Sequence, residues 1–262
     1  MSAPPRVIAI DWSGRAKHAA KSIWIAECDQ RGHLLRLENG RDRGQTASWI
    51  INKSQRAGPL VVGLDFAFAF PRWFMHKQGW ADGPACWSAM SGSHGLAEHW
   101  LKTCHSPFWG RPGKARPAGI EMKRECESGG TAKSVFQIGG AGAVGTGSLR
   151  GMGTLHTLHA AGLAVWPFTL PRASDQSLVI EIYPRLLTGA VVKSDALARS
   201  AYLRANFSDR MGTFETAAES SEDAFDAAVS ALVMHDHIEQ IGALAPSADD
   251  TSRIEGMIWA PR

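Results

Sequence analysis

Four acidic side chains lie where apolar segments of the chain end or are interrupted, and they could act together as ligands of a hard cation. Asp11 and Asp65 each follow an apolar run directly, whereas Glu181 lies within a third one. Asp226 lies in a stretch with helical spacing. A carboxylate against apolar structure loses on the order of several kcal/mol of hydration unless a cation or donor compensates it. We therefore predict that Asp11, Asp65 and Asp226 bind Mg²⁺ or Mn²⁺, and that Glu181 is a fourth catalytic carboxylate.

The position of Asp226 on its helix separates it from its acidic neighbour Asp223. The two residues are three positions apart and share roughly one helical face. Asp223 falls in the first turn, where a carboxylate complements the helix dipole without further explanation. Asp226 falls at the margin of the apolar stripe that contains Val229 and Val233, so we expect it to face the sheet rather than the solvent.

The apolar periodicity predicts the elements that position these side chains. Residues 6–11 form a buried strand, residues 22–27 and 33–37 form a hairpin, and residues 45–56 form a helix. A strand that ends at Asp65 follows. We predict one α/β domain with a mixed five-stranded sheet flanked by helices, in which three antiparallel strands precede parallel ones. Asp11 and Asp65 should then lie on neighbouring strands.

The middle of the chain differs in composition from the rest. Residues 71–150 are rich in Gly, Pro, Trp and His, and we interpret them as an insertion or cap within a single domain of residues 1–262. Further helices are predicted at residues 152–161, from Ser194 to about residue 207, and from Ser221 to about residue 241.

This insertion also contains a run of basic residues that could contact nucleic acid. The candidates are Lys102, Arg111, Lys114, Arg116, Lys123 and Arg124. Because Trp100 and Trp109 occur in the same stretch, the pattern suits phosphate contacts combined with base stacking. The alternative interpretation is a solvated loop with a few packed tryptophans.

Composition limits the class of protein but does not define its partner. The net charge of +3 is too small to indicate a nucleic-acid partner by itself. No apolar run approaches the ~20 residues that a membrane-spanning helix needs. The first residues lack the apolar core of a signal peptide, so we expect a cytoplasmic location and no membrane partner.

Several short segments together resemble the domain-of-unknown-function family 429. These segments are Val7-Ile8-Ala9-Ile10-Asp11, Gly63-Leu64-Asp65, Glu181-Ile182-Tyr183-Pro184, Asp223-Ala224-Phe225-Asp226-Ala227 and Glu255-Gly256-Met257-Ile258-Trp259-Ala260-Pro261. Each motif is short, but the set spans nearly the whole chain.

The resemblance implies an RNase H-like fold and a nuclease activity. By that resemblance Asp11 is the acid that ends the first strand, Asp65 is the second acid, and Asp226 is the acid on the helix. Glu181 matches the Glu-x-x-Pro segment of the family. The chemistry would be hydrolysis of a phosphodiester bond by two cations about 3.5–4 Å apart, with Lys17, His18 or Arg185 as candidate assisting groups.

Two other functions remain open at this stage. The RNase H fold is shared with actin-like and sugar-kinase-like ATP-dependent phosphotransferases, and the turn at residues 11–14 loosely resembles their first phosphate-binding turn. A non-catalytic nucleic-acid-binding module on the same fold is the second alternative. Residues 140–145 match G-x-G-x-x-G, but no acidic residue stands ~20 positions further on to bind a ribose, so dinucleotide binding is not predicted.

Overall fold

The computed structural model describes residues 5–92, 95–173 and 175–262, and it contains one mixed sheet. Within these residues the sheet has seven strands: β1 (Arg6–Asp11), β2 (Trp24–Cys28), β3 (Leu34–Glu38), β4 (Leu60–Leu64), β5 (Ala164–Val165), β6 (Leu178–Ile182) and β7 (Ile258–Trp259). The predicted α/β class is therefore confirmed. The sheet has two strands more than the predicted five, and β5 and β7 are only two residues long each.

The strand order places the carboxyl-terminal ends of β1, β4 and β6 side by side at one end of the sheet. The order is β3-β2-β1-β4-β6-β5, and β7 also pairs with β6. The β1–β2 and β2–β3 pairs are antiparallel, whereas β1–β4 and β4–β6 are parallel. The prediction that Asp11 and Asp65 lie on neighbouring strands is confirmed. The amide of Asp65 even extends the pairing by donating to the carbonyl oxygen of Ile10 at 3.1 Å.

Helices cover both faces of this sheet. Those between β3 and β5 are α1 (Arg43–Ala57), α2 (Arg72–Lys77), α3 (Gly83–Met90), α4 (Leu96–Thr103) and α5 (Val144–Ala160). Those after β6 are α6 (Pro184–Thr188), α7 (Ala196–Met211), α8 (Glu215–Ser220), α9 (Glu222–Asp236), α10 (Ile238–Gly242) and α11 (Asp250–Glu255). Ser221 caps α9 as predicted, since its hydroxyl accepts from the amide of Ala224.

Alternating side chains of the strands divide the apolar interior into two clusters. Ile10 and Leu64 point to one face, where they pack with α1, α5 and the apolar residues of the insertion. Ala9 and Ile180 point to the opposite face, where they pack with α7 and α9. Both faces of β1, β4 and β6 are thus buried, as is usual for parallel strands.

The aromatic residues of the insertion belong to the interior of the protein. Phe74, Trp100 and Phe108 pack with Phe70, which follows β4, and with Phe136. These contacts join the residues between α2 and α5 to the sheet through one continuous apolar cluster. No helix in the described part of the chain is both long and apolar enough to cross a membrane.

Candidate active site

Asp11, Asp65 and Asp226 converge at the end of the sheet where β1 and β4 stop. Asp11 is the last residue of β1, and Asp65 follows β4 in the adjacent position. Helix α9 packs across β1 and β2 and brings Asp226 to the same place. The side chains of Asp11 and Asp65 are close enough to act on each other directly.

The electrostatics of this cluster favour protonated carboxyl groups. Burial, followed by the nearby charges of Asp65, Asp223 and Asp226, raises the pKa of Asp11 well above its usual value. Burial, followed by the charge of Asp226, raises the pKa of Asp65 to about 8. Burial also raises the pKa of Asp226. Such mutual elevation is expected when acids crowd together without a compensating cation.

Asp226 and Asp223 take the orientations that the helical phase predicted. Asp226 is 8 % exposed, whereas Asp223 is exposed at the start of α9. One carboxylate oxygen of Asp226 forms an ion pair with the ammonium group of Lys193. The other, Oδ1, is buried and has no hydrogen-bond partner in the described part of the chain. A buried carboxylate oxygen without a partner is costly, so the site has an unmet demand for positive charge or a donor.

No local pattern predicted Lys193 as a member of this site. Its backbone is held by a buried residue, Arg199. The guanidinium of Arg199 donates to the carbonyl oxygen of Lys193. It also donates twice to the carbonyl oxygen of Glu219, at 3.1 and 2.7 Å. The segment that carries Lys193 is therefore tied to the residues that lead into α9.

Glu181 is separated from the aspartate cluster by the alternation of its strand. In the parallel β4–β6 pair, Glu181 lies beside Leu64 and therefore points to the same face as Leu64. Asp65, one residue later, points to the opposite face. Glu181 instead accepts bonds from Arg124 Nη1 at 2.8 Å and from the amide of Phe68 at 2.9 Å. Glu181 also lines the cavity beside Asp65 and acts on the pKa of Asp65, so its place among the catalytic carboxylates stays a prediction.

Arg124 is corrected from a surface phosphate contact to a buried residue. It is 0 % exposed and binds Glu127 as well as Glu181. Burial opposes its charge, but Glu127 and Glu181 outweigh that effect and raise the pKa of Arg124 well above its usual value. Lys123 donates inward to the carbonyl oxygens of Glu127 and Gly130, at 3.3 and 3.0 Å.

The remaining basic candidates form an exposed group. Lys102, Arg111, Lys114 and Arg116 are all exposed in the structure. Trp100 and Trp109, in contrast, pack against the apolar cluster and are unsuited to stacking on bases. A polyanion could therefore form ion pairs with these basic side chains, but its bases could not stack on the two tryptophans as predicted.

A cavity of about 190 Å³ lies beside the carboxylate cluster. Asp65, Trp12 and Lys133 line it, together with the first residues of α5. Gly14, in the turn after β1, packs so closely on this helix end that an added Cβ would lie 2.4 Å from the amide nitrogen of Gly147. The N-terminus of a long helix thus faces the cavity, where its dipole favours anions.

The donors fit a hard cation by chemistry, although their present arrangement is not a complete metal site. Asp11, Asp65 and Asp226 offer only carboxylate oxygens, which Mg²⁺ and Mn²⁺ prefer. Among the residues described, no three acidic, His or Cys side chains are placed to hold a metal ion as they stand. The ion pair of Lys193 with Asp226 occupies one of these oxygens.

Comparisons with known proteins do not assign the chain to a class. No family model, no curated protein and no solved structure matches it.

The raised pKa of Asp65 predicts how stability depends on pH in the absence of metal. An unfolded Asp65 ionises near pH 3.8, whereas the folded protein keeps this proton up to about pH 8. Stability should therefore fall as pH rises through this interval, because the unfolded state binds fewer protons. We expect urea denaturation in EDTA to show a smaller fall for Asp65→Asn than for the wild type. Equal slopes for the two proteins would contradict the burial of a protonated Asp65.

Proposed function

We propose that this protein is a divalent-cation-dependent hydrolase of phosphodiester bonds, with a nuclease activity. The observation that carries the proposal is the convergence of Asp11, Asp65 and Asp226, whose pKa values are all raised, while Asp226 Oδ1 has no hydrogen-bond partner among the described residues. A buried cluster of acids with no structural use for its charge is a candidate functional site. Mg²⁺ or Mn²⁺ would satisfy it.

The proposed reaction is the addition of water to a phosphodiester. A new bond forms between the water oxygen and phosphorus, and the bond from phosphorus to the leaving oxygen breaks. One proton of the water passes to solvent, and the leaving oxygen takes up a proton. Asp11, Asp65 and Asp226 would hold the cation after loss of the protons that the raised pKa values of Asp11 and Asp65 favour. A bound divalent cation supplies stabilisation of the phosphoryl oxygen and a more acidic attacking water.

An RNase H-like fold and membership of family 429 are part of this proposal. The support is the order of the strands, with an antiparallel β1–β2–β3 meander and parallel strands β4 and β6 on the other side of β1. Acids at the ends of the first strand and of its parallel neighbour, with a third on a late helix, agree with the resemblance of the short motifs.

Nucleic acid is the proposed substrate because the insertion that carries the exposed basic residues begins shortly after Asp65 in the sequence. We expect an Arg111→Ala, Lys114→Ala, Arg116→Ala variant to bind single-stranded DNA more weakly than the wild type. The slope of log affinity against log salt should fall in magnitude by about 2. Fluorescence anisotropy over a salt series, with Ca²⁺ in place of Mg²⁺ to prevent cleavage, would measure this.

A matched variant controls for the loss of three positive charges. Arg31, Arg56 and Arg172 are also exposed, and they lie in segments near the opposite ends of the strands. Their combined change to Ala should alter affinity much less. If both triple variants bind like the wild type, the insertion does not bind nucleic acid and serves a structural purpose.

One observation favours a second candidate, an ATP-dependent phosphotransferase. The turn after β1 contacts the N-terminus of α5 through Gly14 and Gly147, and this helix end faces the cavity. Such an arrangement suits phosphate groups. However, the cavity of about 190 Å³ is smaller than the roughly 300–1,000 Å³ of small-molecule pockets. Phosphodiester hydrolysis is therefore the better-supported function.

A substrate panel tests the proposed function. Purified protein would be incubated with Mn²⁺ or Mg²⁺ and single-stranded, duplex or branched DNA, RNA, or ATP. We expect cleavage of at least one polynucleotide, abolished by EDTA and by Asp11→Asn. Hydrolysis of ATP without cleavage of any polynucleotide would favour the phosphotransferase. Binding of polynucleotide with no turnover of any substrate would favour the non-catalytic module.

A further inference from the structure

Lys193 places its ammonium group within the proposed cation site. Its ammonium group pairs with Asp226, and the two side chains are only 19 % and 11 % exposed. The positive charge also acts on Asp11 and Asp65, since it lowers the pKa of each against the opposing effect of burial. Lys193 therefore already neutralises part of the charge that bound metal ions would otherwise have to neutralise.

The position of this lysine is built into the fold. Arg199, which is 6 % exposed, joins the carbonyl oxygens of Lys193 and Glu219. Glu219 belongs to α8, which leads directly into the helix that carries Asp226. Because the carbonyl oxygen of Lys193 is anchored to the same part of the chain as its partner, the fold holds the base of the lysine side chain beside Asp226.

The charges of the cluster balance with a single divalent cation. The three proposed ligands Asp11, Asp65 and Asp226 carry three negative charges when ionised, and Lys193 returns one positive charge. The charge of Asp223, which also acts on Asp11, lies on an exposed side chain where solvent screens it. One divalent cation completes neutrality, whereas two would leave an excess of two positive charges close together in a poorly solvated place. Asp226 Oδ1 has no hydrogen-bond partner in the described part of the chain, so it is free to bind one cation, whereas Lys193 binds the other carboxylate oxygen.

We propose that Lys193 takes the place of the second cation, so that each chain binds one divalent ion rather than the pair used in two-metal hydrolysis. This inference rests on the proposed function. Lys193 would act as a positioning and charge-compensating residue that holds Asp226 in place, and a small positively charged centre would remain at the site in the absence of metal.

The number of Mn²⁺ ions bound per chain tests this inference. Isothermal titration calorimetry and electron paramagnetic resonance of free Mn²⁺ should give one ion for the wild type. Lys193→Met, which keeps the length of the side chain without its charge, should admit a second ion or bind the first roughly tenfold more tightly. Lys193→Arg should restore one ion with affinity near that of the wild type.

A second lysine–carboxylate pair supplies a matched control. Lys53 pairs with Glu27 at 2.8 Å, is 16 % exposed and lies on α1, away from the aspartate cluster. Lys53→Met should leave the Mn²⁺ count unchanged, and thermal melting of each variant would establish that it is folded. Two ions in the wild type, or one ion of unchanged affinity in folded Lys193→Met, would overturn the role of Lys193. No Mn²⁺ bound to the wild type would overturn the proposed function itself.

Discussion

Asp226→Asn is expected to lower metal-dependent cleavage by at least roughly a thousandfold, equivalent to about 4 kcal/mol of transition-state stabilisation. The amide keeps the shape of the side chain but removes the negative charge from a buried acid of the cluster, which is 8 % exposed. It also presents a donor where a cation requires an acceptor. Initial rates at saturating Mn²⁺, measured on the polynucleotide that the wild type cleaves best, would show the loss.

Glu222→Gln is the matched control for this variant, since Glu222 lies on the same helix and is exposed. It should retain activity within about twofold, because exposed charges are weakly coupled to their surroundings. Melting temperatures would show that both variants are folded. If Asp226→Asn retains more than a tenth of the activity, or if Asp223→Asn is the variant that loses it, the assignment of Asp226 as a ligand is wrong.

Arg124→Met is expected to lower the free energy of unfolding by about 3–5 kcal/mol, the cost of removing one partner from a buried ion pair. Arg124 is 0 % exposed and compensates both Glu127 and Glu181. Its Nη1 also donates to the carbonyl oxygen of Glu255 at 3.1 Å, so it joins β6 to the last helix of the chain. Urea denaturation at neutral pH would measure the change.

Two further variants isolate the cause of this loss. Arg116→Met removes an exposed arginine and should change the free energy of unfolding by less than about 0.5 kcal/mol. Adding Glu181→Gln to Arg124→Met removes one of the stranded buried charges, so it should recover part of the stability. A loss below about 1 kcal/mol for Arg124→Met would contradict the account of Arg124 as an internal counter-ion.

The placement of Asp11, Asp65 and Asp226 could be predicted because the signals are local. An apolar run that ends in an acid indicates a buried strand with a carboxylate at its end, and the strands that end at Asp11 and Asp65 are indeed neighbours. The phase of α9 likewise distinguished buried Asp226 from exposed Asp223. In both cases residues within a few positions of each other contained the information.

The environment of Glu181 could not be predicted because both faces of its strand are apolar. The residues of β6 are buried throughout, so no alternation in the sequence reveals which side chains face α9. The register of β6 against β4 decides which side chains of β6 face α9, and a shift of one residue would turn each of them to the other face. Its partner Arg124 is 57 positions away, and Lys193 is 33 positions from Asp226. Such pairs leave no local pattern.

The start of α5 was predicted eight residues too late for a different reason. The helix begins at Val144, and glycines at positions 145, 147, 151 and 153 weaken its intrinsic propensity. Tertiary packing requires some of them. A Cβ on Gly145 would lie 2.2 Å from the carbonyl oxygen of Val135, and one on Gly151 would lie 2.6 Å from the ring of Phe66. Close packing therefore overrides propensity in this helix.

Anomalous X-ray scattering from Mn²⁺ is the most direct test of the carboxylate cluster as a cation site. Crystals should be soaked with MnCl₂ above pH 8, because the pKa of Asp65 is raised to about 8 and a protonated acid is a poor ligand. The account predicts an anomalous peak in contact with carboxylate oxygens of Asp11, Asp65 and Asp226, absent in Asp226→Asn crystals. Mn²⁺ bound elsewhere on the protein with none at these three residues would contradict it.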